Sequence, residues 1–373
     1  MPKEEKGKEK INKKPELEIK FSNLLSKFQI IPDSEKIFFI QNLGIMLKAG
    51  ISLSRALRTL ARQTKNSRFK KIIYDLYHRV EEGQTLTESL RKYENVFSEL
   101  FINMVEAGEI SGKLEDVLKH LYIQLKKEHQ LKNKIRGALI YPSVIFVAMV
   151  GIGTAMVIFV VPRLVSIFEG VNMELPLMTR MLIKVSNNIS AHGTVFLFSL
   201  IIFAFVIRHF LKTKVGKYYW HLFLLKIPIF SPIFKKINLA RFARTMSSLL
   251  KTDIKIVKSF KITANTLGNV HYKKSLENAA EKIKKGEELH KSLSSYPNLY
   301  PEMIIQMIDV GEETGELDNI LEELSLFYEE EVEEIMNTLP SIIEPIIILI
   351  LGLAIGAMAV AIIMPMYSLT KAF

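Results

Sequence analysis

The sequence predicts an all-α polytopic membrane protein, in which two homologous cytoplasmic six-helix bundles are anchored by three transmembrane helices. Three observations lead to this prediction. A long motif occurs twice in the chain, 203 positions apart. Elsewhere apolar residues recur at three- and four-residue spacing, without the alternation that is typical of strands. Uncharged apolar runs are also present, and the longest of them can cross a bilayer.

The repeated motif is a glycine-rich turn. The first copy reads Gly108-Glu109-Ile110-Ser111-Gly112-Lys113-Leu114, and the second reads Gly311-Glu312-Glu313-Thr314-Gly315-Glu316-Leu317. The same offset places Leu47 on Leu250, Tyr93 on Tyr296 and Pro142 on Pro345 without a gap. Solenoid repeats are only about 20 to 50 residues long. The chain therefore contains a duplicated module of domain size.

The composition places part of the chain in lipid. The 373 residues are 49% hydrophobic and 24% charged, and their mean hydropathy is +0.18. Cysteine is absent, which excludes disulfides, thiolate zinc sites and thiol catalysis. The net charge of +11 is unevenly distributed, since residues 302–344 contain 14 acids and no Lys or Arg. This distribution argues against nucleic acid, and it indicates that the basic stretches beside apolar runs face anionic lipid headgroups.

The chain begins with a predicted mobile cytoplasmic tail, residues 1–33, which lacks the apolar core of a signal peptide. Residues 34–138 form the first cytoplasmic bundle, since Leu53, Leu57 and Leu60 recur at helical spacing. Within this bundle Thr85 and Glu88 have the spacing of a capping box. The second copy predicts an equivalent cytoplasmic bundle at residues 238–343.

Three segments are predicted to span the membrane, at residues 139–161, 194–211 and 344–367. The first has 23 residues without a charge. The second is shorter. If only one span lay between the two bundles, the bundles would be on opposite sides of the membrane, so a second, returning helix is needed to keep them on the same side. Basic residues precede the first span and follow the second, so both of these flanks are cytoplasmic. Residues 162–193 are then an extracytoplasmic loop, and residues 212–237 are a basic linker.

The glycine-rich turn has two interpretations. It is either a tight reversal between helices of a bundle or a contact point for a partner protein. In the first, one glycine takes a positive φ, and Ser111 or Thr314 caps the following helix. In the second, Glu109 and Glu312 are exposed for docking. The residues involved are Gly108, Glu109, Ser111, Gly112, Gly311, Glu312, Thr314 and Gly315. A phosphate cradle is excluded because no Gly-Lys-Ser/Thr sequence follows.

Gly352 and Gly356 form a Gly-x-x-x-Gly pattern in the last apolar run. Small residues at this spacing allow two helices to approach closely in lipid. The pattern predicts a packing face, either within the chain or in a dimer.

The segments that lead into the first and last spans have opposite charge. Residues 119–136 contain six Lys or Arg and one Glu, whereas every charged residue in 322–334 is acidic. The simpler interpretation is two solvated faces. The alternative is that the segments pair through complementary charge, within one chain or between two protomers.

No catalytic, metal-binding or cofactor-binding set is found in the sequence. The eight histidines show no His-Glu-x-x-His pairing, and no Gly-x-Ser-x-Gly elbow occurs. His120 and His129 are expected on a solvated basic helix. A small membrane transporter or channel subunit would need polar groups along a path, and the spans offer few. A membrane-bound enzyme would need a convergent reactive set. Both remain alternatives.

The sequence resembles the inner-membrane platform proteins of bacterial type II secretion and type IV pilus machines. The resemblance runs from about residue 36 to the C-terminus. It rests on Ala49-Gly50-Ile51-Ser52-Leu53, the two glycine-rich turns, Tyr141-Pro142, Val161-Pro162, Glu344-Pro345 and Met364-Pro365. One departure is Thr252-Asp253, where the second copy of such proteins usually resembles Ala49-Gly50.

The resemblance implies a non-enzymatic, multi-pass protein of the bacterial inner membrane, with both bundles cytoplasmic. The implied partners are a cytoplasmic hexameric assembly ATPase, pilin or pseudopilin subunits, other inner-membrane assembly proteins, membrane lipid and further copies of the chain. The implied activity is to couple the ATPase to insertion of these subunits into a filament. Bending of the span ends is then assigned to Pro142, Pro162, Pro345 and Pro365. Pilus, secretion and DNA-uptake machines all fit the resemblance.

Overall fold

The computed structural model describes residues 30–163, 177–228 and 230–370, and every regular element among them is helical. The predicted tail lies outside the described residues except for residues 30–33. Residues 164–176 of the predicted extracytoplasmic loop also lie outside them. The predicted all-α class is confirmed for the described part of the chain.

The first bundle consists of six helices, as the repeat predicts. They are α1 (Asp33–Lys48), α2 (Leu53–Gln63), α3 (Ser67–Glu81), α4 (Leu86–Arg91), α5 (Glu99–Ser111) and the long α6 (Leu114–Ala155). The predicted capping box is confirmed at the start of α4, because the Thr85 hydroxyl accepts from the Glu88 amide and the Glu88 carboxylate accepts from the Thr85 amide.

The core of the first bundle is built around three phenylalanines. Phe39, Phe69 and Phe97 are fully buried, and the rings of Phe39 and Phe69 meet edge to face with centroids 5.6 Å apart. Aromatic side chains bury a large apolar area, and the edge-to-face geometry adds a favourable electrostatic term. These three rings join α1, α3 and the segment before α5 into one core.

The structure describes two helices between the bundles. They are α7 (Leu177–Lys212) and α8 (Lys214–Lys226). The predicted basic linker is therefore helical over most of its length, and α8 begins at a Thr213 cap whose hydroxyl accepts from the Gly216 amide. The predicted return span, residues 194–211, lies within α7. Several side chains of α7 are outside the described residues, so this span stays a prediction.

The second bundle repeats the six-helix pattern. It contains α9 (Ser231–Leu250), α10 (Ile256–Thr266), α11 (Val270–Lys284), α12 (Leu289–Ser294), α13 (Glu302–Thr314) and the long α14 (Leu317–Thr370). The three core rings recur as Phe242, Tyr272 and Tyr300. The hydroxyls of the two tyrosines have hydrogen-bond partners inside the core. Tyr272 donates to the Leu299 carbonyl at 2.8 Å, and Tyr300 bonds the Ser275 hydroxyl at 2.9 Å.

The first turn of each bundle has the same backbone path despite different residues. Gly50 follows α1 with φ +78°, and Asp253 follows α9 with φ +57°. In both turns the next amide bonds back to a carbonyl five residues earlier, from Ile51 to Met46 and from Ile254 to Leu249. This closes the end of the helix in the same way. The Thr252-Asp253 departure therefore leaves the turn intact.

Within the part of the chain that the structure describes, two helices are long and apolar enough to cross a membrane. They are α6 and α14, and each runs without a break from its bundle into its apolar run. Residues 138 and 139, predicted as the end of the first bundle and the start of a span, lie within one helix. Large apolar side chains in these runs, including Val147, Ile152, Ile348 and Leu353, are exposed. Such a surface is stable in lipid and costly in water.

A π-helical turn, Met156–Val160, follows α6 immediately before Pro162. The Val161 amide donates to the Met156 carbonyl, five residues back. Continued by one residue, this pattern would have residue 162 donate to the Val157 carbonyl. Pro162 has no amide hydrogen to donate to it. The Ser186 hydroxyl of α7 donates to this carbonyl at 2.7 Å instead. The backbone group released by the proline is thus satisfied by a neighbouring helix, as an apolar environment requires.

Candidate functional site

The carboxylate of Glu109 lies at the start of α4. It accepts the Leu86 amide at 2.6 Å and the Thr87 amide at 2.8 Å, and it also accepts the Thr87 hydroxyl. The first amides of a helix have no partner within the helix, and its N-terminus carries partial positive charge. A half-buried carboxylate from α5 therefore closes the N-terminus of α4.

Glu312 repeats this arrangement in the second bundle. Its carboxylate accepts the Leu289 amide at 2.9 and 3.0 Å and the His290 amide at 3.4 Å, at the start of α12. The repeat thus preserves the contact as well as the motif. These bonds support the bundle-turn interpretation, while docking of a partner on Glu109 or Glu312 stays a prediction.

The glycines of the motif allow the chain to reverse direction closely. Gly112 and Gly315 end α5 and α13 with φ of +71° and +75°, which L-residues rarely adopt. A Cβ on Gly108 would lie 3.0 Å from Val117, and one on Gly311 would lie 3.1 Å from the Leu317 Cα. The motif therefore uses one glycine for the turn and one for close helix packing.

Ser111 and Thr314 do not cap the following helices. The Ser111 hydroxyl donates to the Gly108 carbonyl at 3.5 Å, and the Thr314 hydroxyl donates to the Val310 carbonyl at 2.8 Å. Lys113 holds the N-cap position of α6, without a side-chain cap bond. The capping prediction was wrong because both residues are still in the last turn of the preceding helix, where a hydroxyl reaches the carbonyl three or four residues back.

The predicted packing residues of the spans lie within helices. Pro142 is inside α6, Pro162 follows the π-helical turn, and Pro345 and Pro365 are inside α14. Gly352 and Gly356 are exposed on α14, and a Cβ on either would meet no atom of the described chain within 4 Å. Contact of this face with another molecule therefore stays the prediction, as does bending at the prolines.

The two bundles meet along a charged and polar surface, which we call the inter-bundle seam. It consists of Gln124, Lys127 and Glu128 of α6, Arg241, Arg244, Thr245 and Ser248 of α9, and Glu329 of α14. Arg244 is at its centre and is only 6% exposed. Its guanidinium contacts Glu128 and Glu329, each at 2.9 Å.

Each carboxylate of the seam has a second cation. Arg241 bonds Glu128 at 2.8 Å, and Lys127 bonds Glu329 at 2.9 Å. Charges therefore alternate across three helices. Burying such groups is costly, and the cost is offset only when every charge has its partners. The arrangement holds α6 in a defined position against α9 and α14.

The seam shows that the oppositely charged segments pair within one chain. Lys127 contacts Glu329, and Lys134 contacts Glu333 further along the same helices. The pairing hypothesis is confirmed for these contacts, whereas other charged residues of the two segments, such as Lys126 and Glu330, are exposed. The segments pair because the side of α6 that carries Gln124 and Glu128 faces the arginines of α9 and the glutamates of α14.

Sequence reasoning did not identify Arg244. The available signal was an arginine on the helix face of the small residues Ala240 and Ser247, which also carries Arg241. An arginine on such a face has to be paired when the face is buried. His120 also differs from its prediction, since it is half-buried, and burial with Lys251 and Lys119 lowers its pKa.

Two further contacts at the seam lie between α5 and α10. Lys258 bonds Glu106 at 2.9 Å, and the Asn265 amide donates to Glu99 at 2.8 Å. The hydrogen bond from Lys258 holds the pKa of Glu106 below its ordinary value. Leu249, Ile254 and Ile262 of the second bundle complete the apolar core of the first. The bundles thus share a core as well as a charged surface.

Comparison with protein families identifies the module. The family described as "Type II secretion system (T2SS), protein F" matches residues 39–162 and again residues 242–365. The two matches are separated by the same offset of 203 as the repeat. The chain belongs to the type II secretion system protein F family. This confirms the resemblance to secretion and pilus platform proteins.

Several relatives can be aligned with most of this chain. It is 36% identical over 331 residues to the type IV pilus assembly protein PilC of Thermus thermophilus, covering 89% of this chain and 81% of the relative. It is 31% identical to the type II secretion system protein F of Aeromonas hydrophila, covering 91% and 87%. PilC of Pseudomonas aeruginosa is 30% identical, covering 89% and 88%.

Family membership associates the chain with secretion and pilus assembly machinery in a platform role. Together with the two apolar helices, it indicates an inner-membrane protein. The family is not known as a family of enzymes. Among the described residues, no group of three or more His, Asp or Glu side chains is placed to hold a metal ion.

Proposed function

We propose that this chain is the inner-membrane platform of a type IV pilus or type II secretion machine. In this role it couples a cytoplasmic assembly ATPase to the insertion of pilin or pseudopilin subunits into a filament. The observation that best supports the proposal is the continuity of α6 and α14. Their 42 and 54 residues correspond to continuous rods of about 60 and 80 Å, each with one end in a bundle and the other in an apolar run.

The seam supports a coupled movement of both rods. Its ion pairs join α6 to α9 and α14, and the shared core adds Leu249, Ile254 and Ile262. A force applied by the ATPase to either bundle is then passed to both membrane helices. Subunits that lie beside these helices in the bilayer would be displaced toward the filament.

Direct contact between the bundles supports the proposed three-span topology. Arg241 and Glu128 belong to different bundles and are 2.8 Å apart, which supports a location of both bundles on the same side of the membrane. A chain that leaves this side through residues 139–161 must return before α9. Residues 194–211 in α7 are the segment proposed for the return, and residues 344–367 are the third span. The basic flanks support a cytoplasmic location for both bundles.

The topology can be tested with single cysteines, because the natural chain has none. Glu94→Cys and Glu277→Cys place a thiol on the exposed surface of the first and second bundle. Gly170→Cys places one in the proposed extracytoplasmic loop. In intact spheroplasts, a membrane-impermeant maleimide should label only the cysteine at 170. Labelling of either bundle before lysis would contradict the topology.

The coupling role can be tested by softening one rod. Asn133 and Arg136 are exposed on α6 between the bundle and the apolar run. Changing both to Gly should weaken the helix by about 2 kcal/mol relative to a control with both changed to Ala. We expect filament assembly or secretion to fall in the Gly variant and to persist in the Ala variant, at equal amounts of membrane protein. Equal assembly in both would contradict transmission through α6.

The ATPase partner can be tested directly. The purified chain in lipid nanodiscs should bind the assembly ATPase from the same operon or genome. It should also change the rate of ATP turnover of that ATPase. An ATPase that neither binds nor responds would contradict this part of the proposal, whatever the result of the topology experiment.

A further inference from the structure

The two bundles contact each other through different faces. The first bundle uses α5 and α6, with Leu100, Glu106 and Gln124. We call this surface the donor face. The second bundle uses α9, α10 and α14, with Arg244, Lys258 and Glu329, and we call this surface the acceptor face. Such a contact is heterologous, since each partner contributes a surface that the other does not use.

The bundles are homologous, so each bundle has a donor face and an acceptor face. Within the chain, the first bundle uses only its donor face and the second bundle uses only its acceptor face. The second bundle has a counterpart of the donor face, 203 positions further along the chain. Leu100 is 6% exposed, whereas its counterpart Met303 is 41% exposed. Gln124 is buried, whereas its counterpart Phe327 is 44% exposed. The second donor face is therefore uncovered in the single chain.

The first bundle has an uncovered counterpart of the acceptor face. Arg244 is buried, whereas its counterpart Gln41 is exposed. Ser248 bonds Gln124, whereas its counterpart Ile45 is 58% exposed. Gln41 and Ile45 also line a groove of about 280 Å³ between α1 and α6. The chain thus exposes one free face of each kind, on opposite bundles.

The free faces have opposite charges at three of the paired positions that bond within the chain, and one of these groups, Asp309, also contacts His290 at 2.9 Å. The Lys258–Glu106 ion pair corresponds to Arg55 and Asp309, and the Asn265–Glu99 hydrogen bond corresponds to Arg62 and Glu302. The Lys127–Glu329 ion pair corresponds to Glu330 and Lys126. In this last pair both signs are reversed, so attraction is retained.

One polar contact is replaced by an apolar one. The hydrogen bond between Ser248 and Gln124 corresponds to Ile45 and Phe327, two large apolar side chains that are both exposed in the single chain. Burying them against each other would be favourable. Three ion pairs have no equivalent, because Arg241 and Arg244 correspond to the uncharged Phe38 and Gln41, so the counterparts of their bonds to Glu128 and Glu329 cannot form. The counterpart of Glu128 is Glu331, which is bonded to Lys236. A contact between the free faces should therefore be weaker than the one within the chain.

We propose that a second copy of this chain docks its free acceptor face on the free donor face of the first, repeating between molecules the contact between the bundles. This inference does not rest on the platform function. A heterologous contact leaves one open face at each end unless the copies close into a ring. Because the membrane helices hold every copy at the same height, a closed ring is the assembly that covers all faces.

Cross-linking between two differently tagged full-length chains in native membranes tests the proposal. One chain carries Ile45→Cys and the other carries Phe327→Cys, so that only a contact between molecules can form the disulfide. We expect efficient cross-linking of this pair. A matched control, Glu82→Cys with Lys285→Cys, uses two exposed counterpart positions outside both faces and should not cross-link. Equal cross-linking of the control, or preferred 45-to-45 and 327-to-327 disulfides, would overturn the proposal.

A charge exchange provides an independent test without cysteines. Lys126 and Glu330 are both exposed, and Glu330 borders the groove that also contains Lys127 and Lys134 of α6, so the melting temperature of each variant is measured as well. Lys126→Glu alone, or Glu330→Lys alone, should weaken self-association in detergent on the order of tenfold by placing like charges together. Both changes in one chain should restore it. A monomeric wild-type chain, or single variants that associate like the wild type, would overturn the proposal, and unchanged melting temperatures would exclude misfolding.

Discussion

Glu109 stabilises a helix to which it does not belong. Its carboxylate closes the N-terminus of α4, where Leu86 and Thr87 would otherwise present unpaired amides. Glu312 does the same for α12. A carboxylate in this position both accepts the amides and opposes the helix dipole. At the scale of single residues, the motif therefore joins elements that are about twenty residues apart in the chain.

Glu109→Ala should lower the free energy of unfolding by about 1–2 kcal/mol, because two backbone amides lose their acceptor. Thermal or chemical unfolding in detergent would measure this. Glu82→Ala, at an exposed position of the same bundle, is the control and should change stability little. A Glu109→Gln variant with reduced ATPase binding and unchanged stability would instead support the interpretation that Glu109 is a contact point for a partner.

Asp253 is the described non-glycine residue that has a positive φ, where its homologous counterpart is Gly50. A side chain is strained in this conformation, and glycine is not. Asp253→Gly should therefore raise the melting temperature, corresponding to about 0.5–1 kcal/mol. Gly50→Ala should have the opposite effect in the first bundle. A less stable Asp253→Gly variant would show that the Asp side chain contributes more than the backbone strain costs.

At the scale of elements, the linker is a docked helix. His221 of α8 accepts the Val270 amide through Nδ1 at 3.1 Å, at the start of α11. His271 of α11 lies within 3.2 Å of the Tyr218 carbonyl of α8. These contacts fix α8 against the second bundle, so that the end of α7 has a defined position relative to it.

The docking of α8 should depend on pH. Burial, together with His271 and Lys217, lowers the pKa of His221 below its ordinary value of 6.5. The neutral ring and its bond to Val270 are therefore present above pH 6.5, and they are lost as the pH falls through the lowered pKa. Hydrogen exchange of residues 214–226 should accelerate, relative to the rest of the bundle, between pH 7 and pH 5.

His221→Asn is the matched control for this experiment. Its amide oxygen can accept the Val270 amide, but it does not titrate in this range. The variant should keep α8 protected at the lower pH. Equal acceleration in the wild type and in His221→Asn would assign the change to another group.

At the scale of the whole molecule, the seam makes two homologous bundles into one body. Its central cation, Arg244, is shared by carboxylates from two different long helices. Removing one partner from a buried ionic network leaves charges that are neither solvated nor paired. The relative position of α6 and α14 therefore depends on a few residues at the centre of the molecule.

Arg244→Leu should destabilise the protein by about 3 kcal/mol, since Glu128 and Glu329 each lose a buried partner. Lys134→Ala removes an exposed ion pair with Glu333 and should cost less than about 1 kcal/mol. Thermal unfolding of both variants in detergent would give the comparison. An Arg244→Leu variant as stable as Lys134→Ala would mean that the seam contributes little to holding the bundles together.

Local patterns were sufficient for the class, the repeat and the start of α4. The offset of 203 predicted two equivalent bundles, the spacing of Thr85 and Glu88 predicted a capping box, and the uncharged runs predicted the apolar parts of α6 and α14. The role of Ser111 and Thr314 was wrongly predicted, because a helix that continues by one turn changes which backbone group a hydroxyl reaches.

The sequence by itself determined that this protein is helical, duplicated and partly embedded in lipid, because these properties depend on periodicity and composition along the chain. Only the tertiary structure decided where Glu109 binds, which partners Arg244 has, and which faces of the two bundles are covered. These depend on residues far apart in the chain, whose contacts follow from how helices pack rather than from any local pattern. Two copies of one module can therefore have the same fold and expose different surfaces.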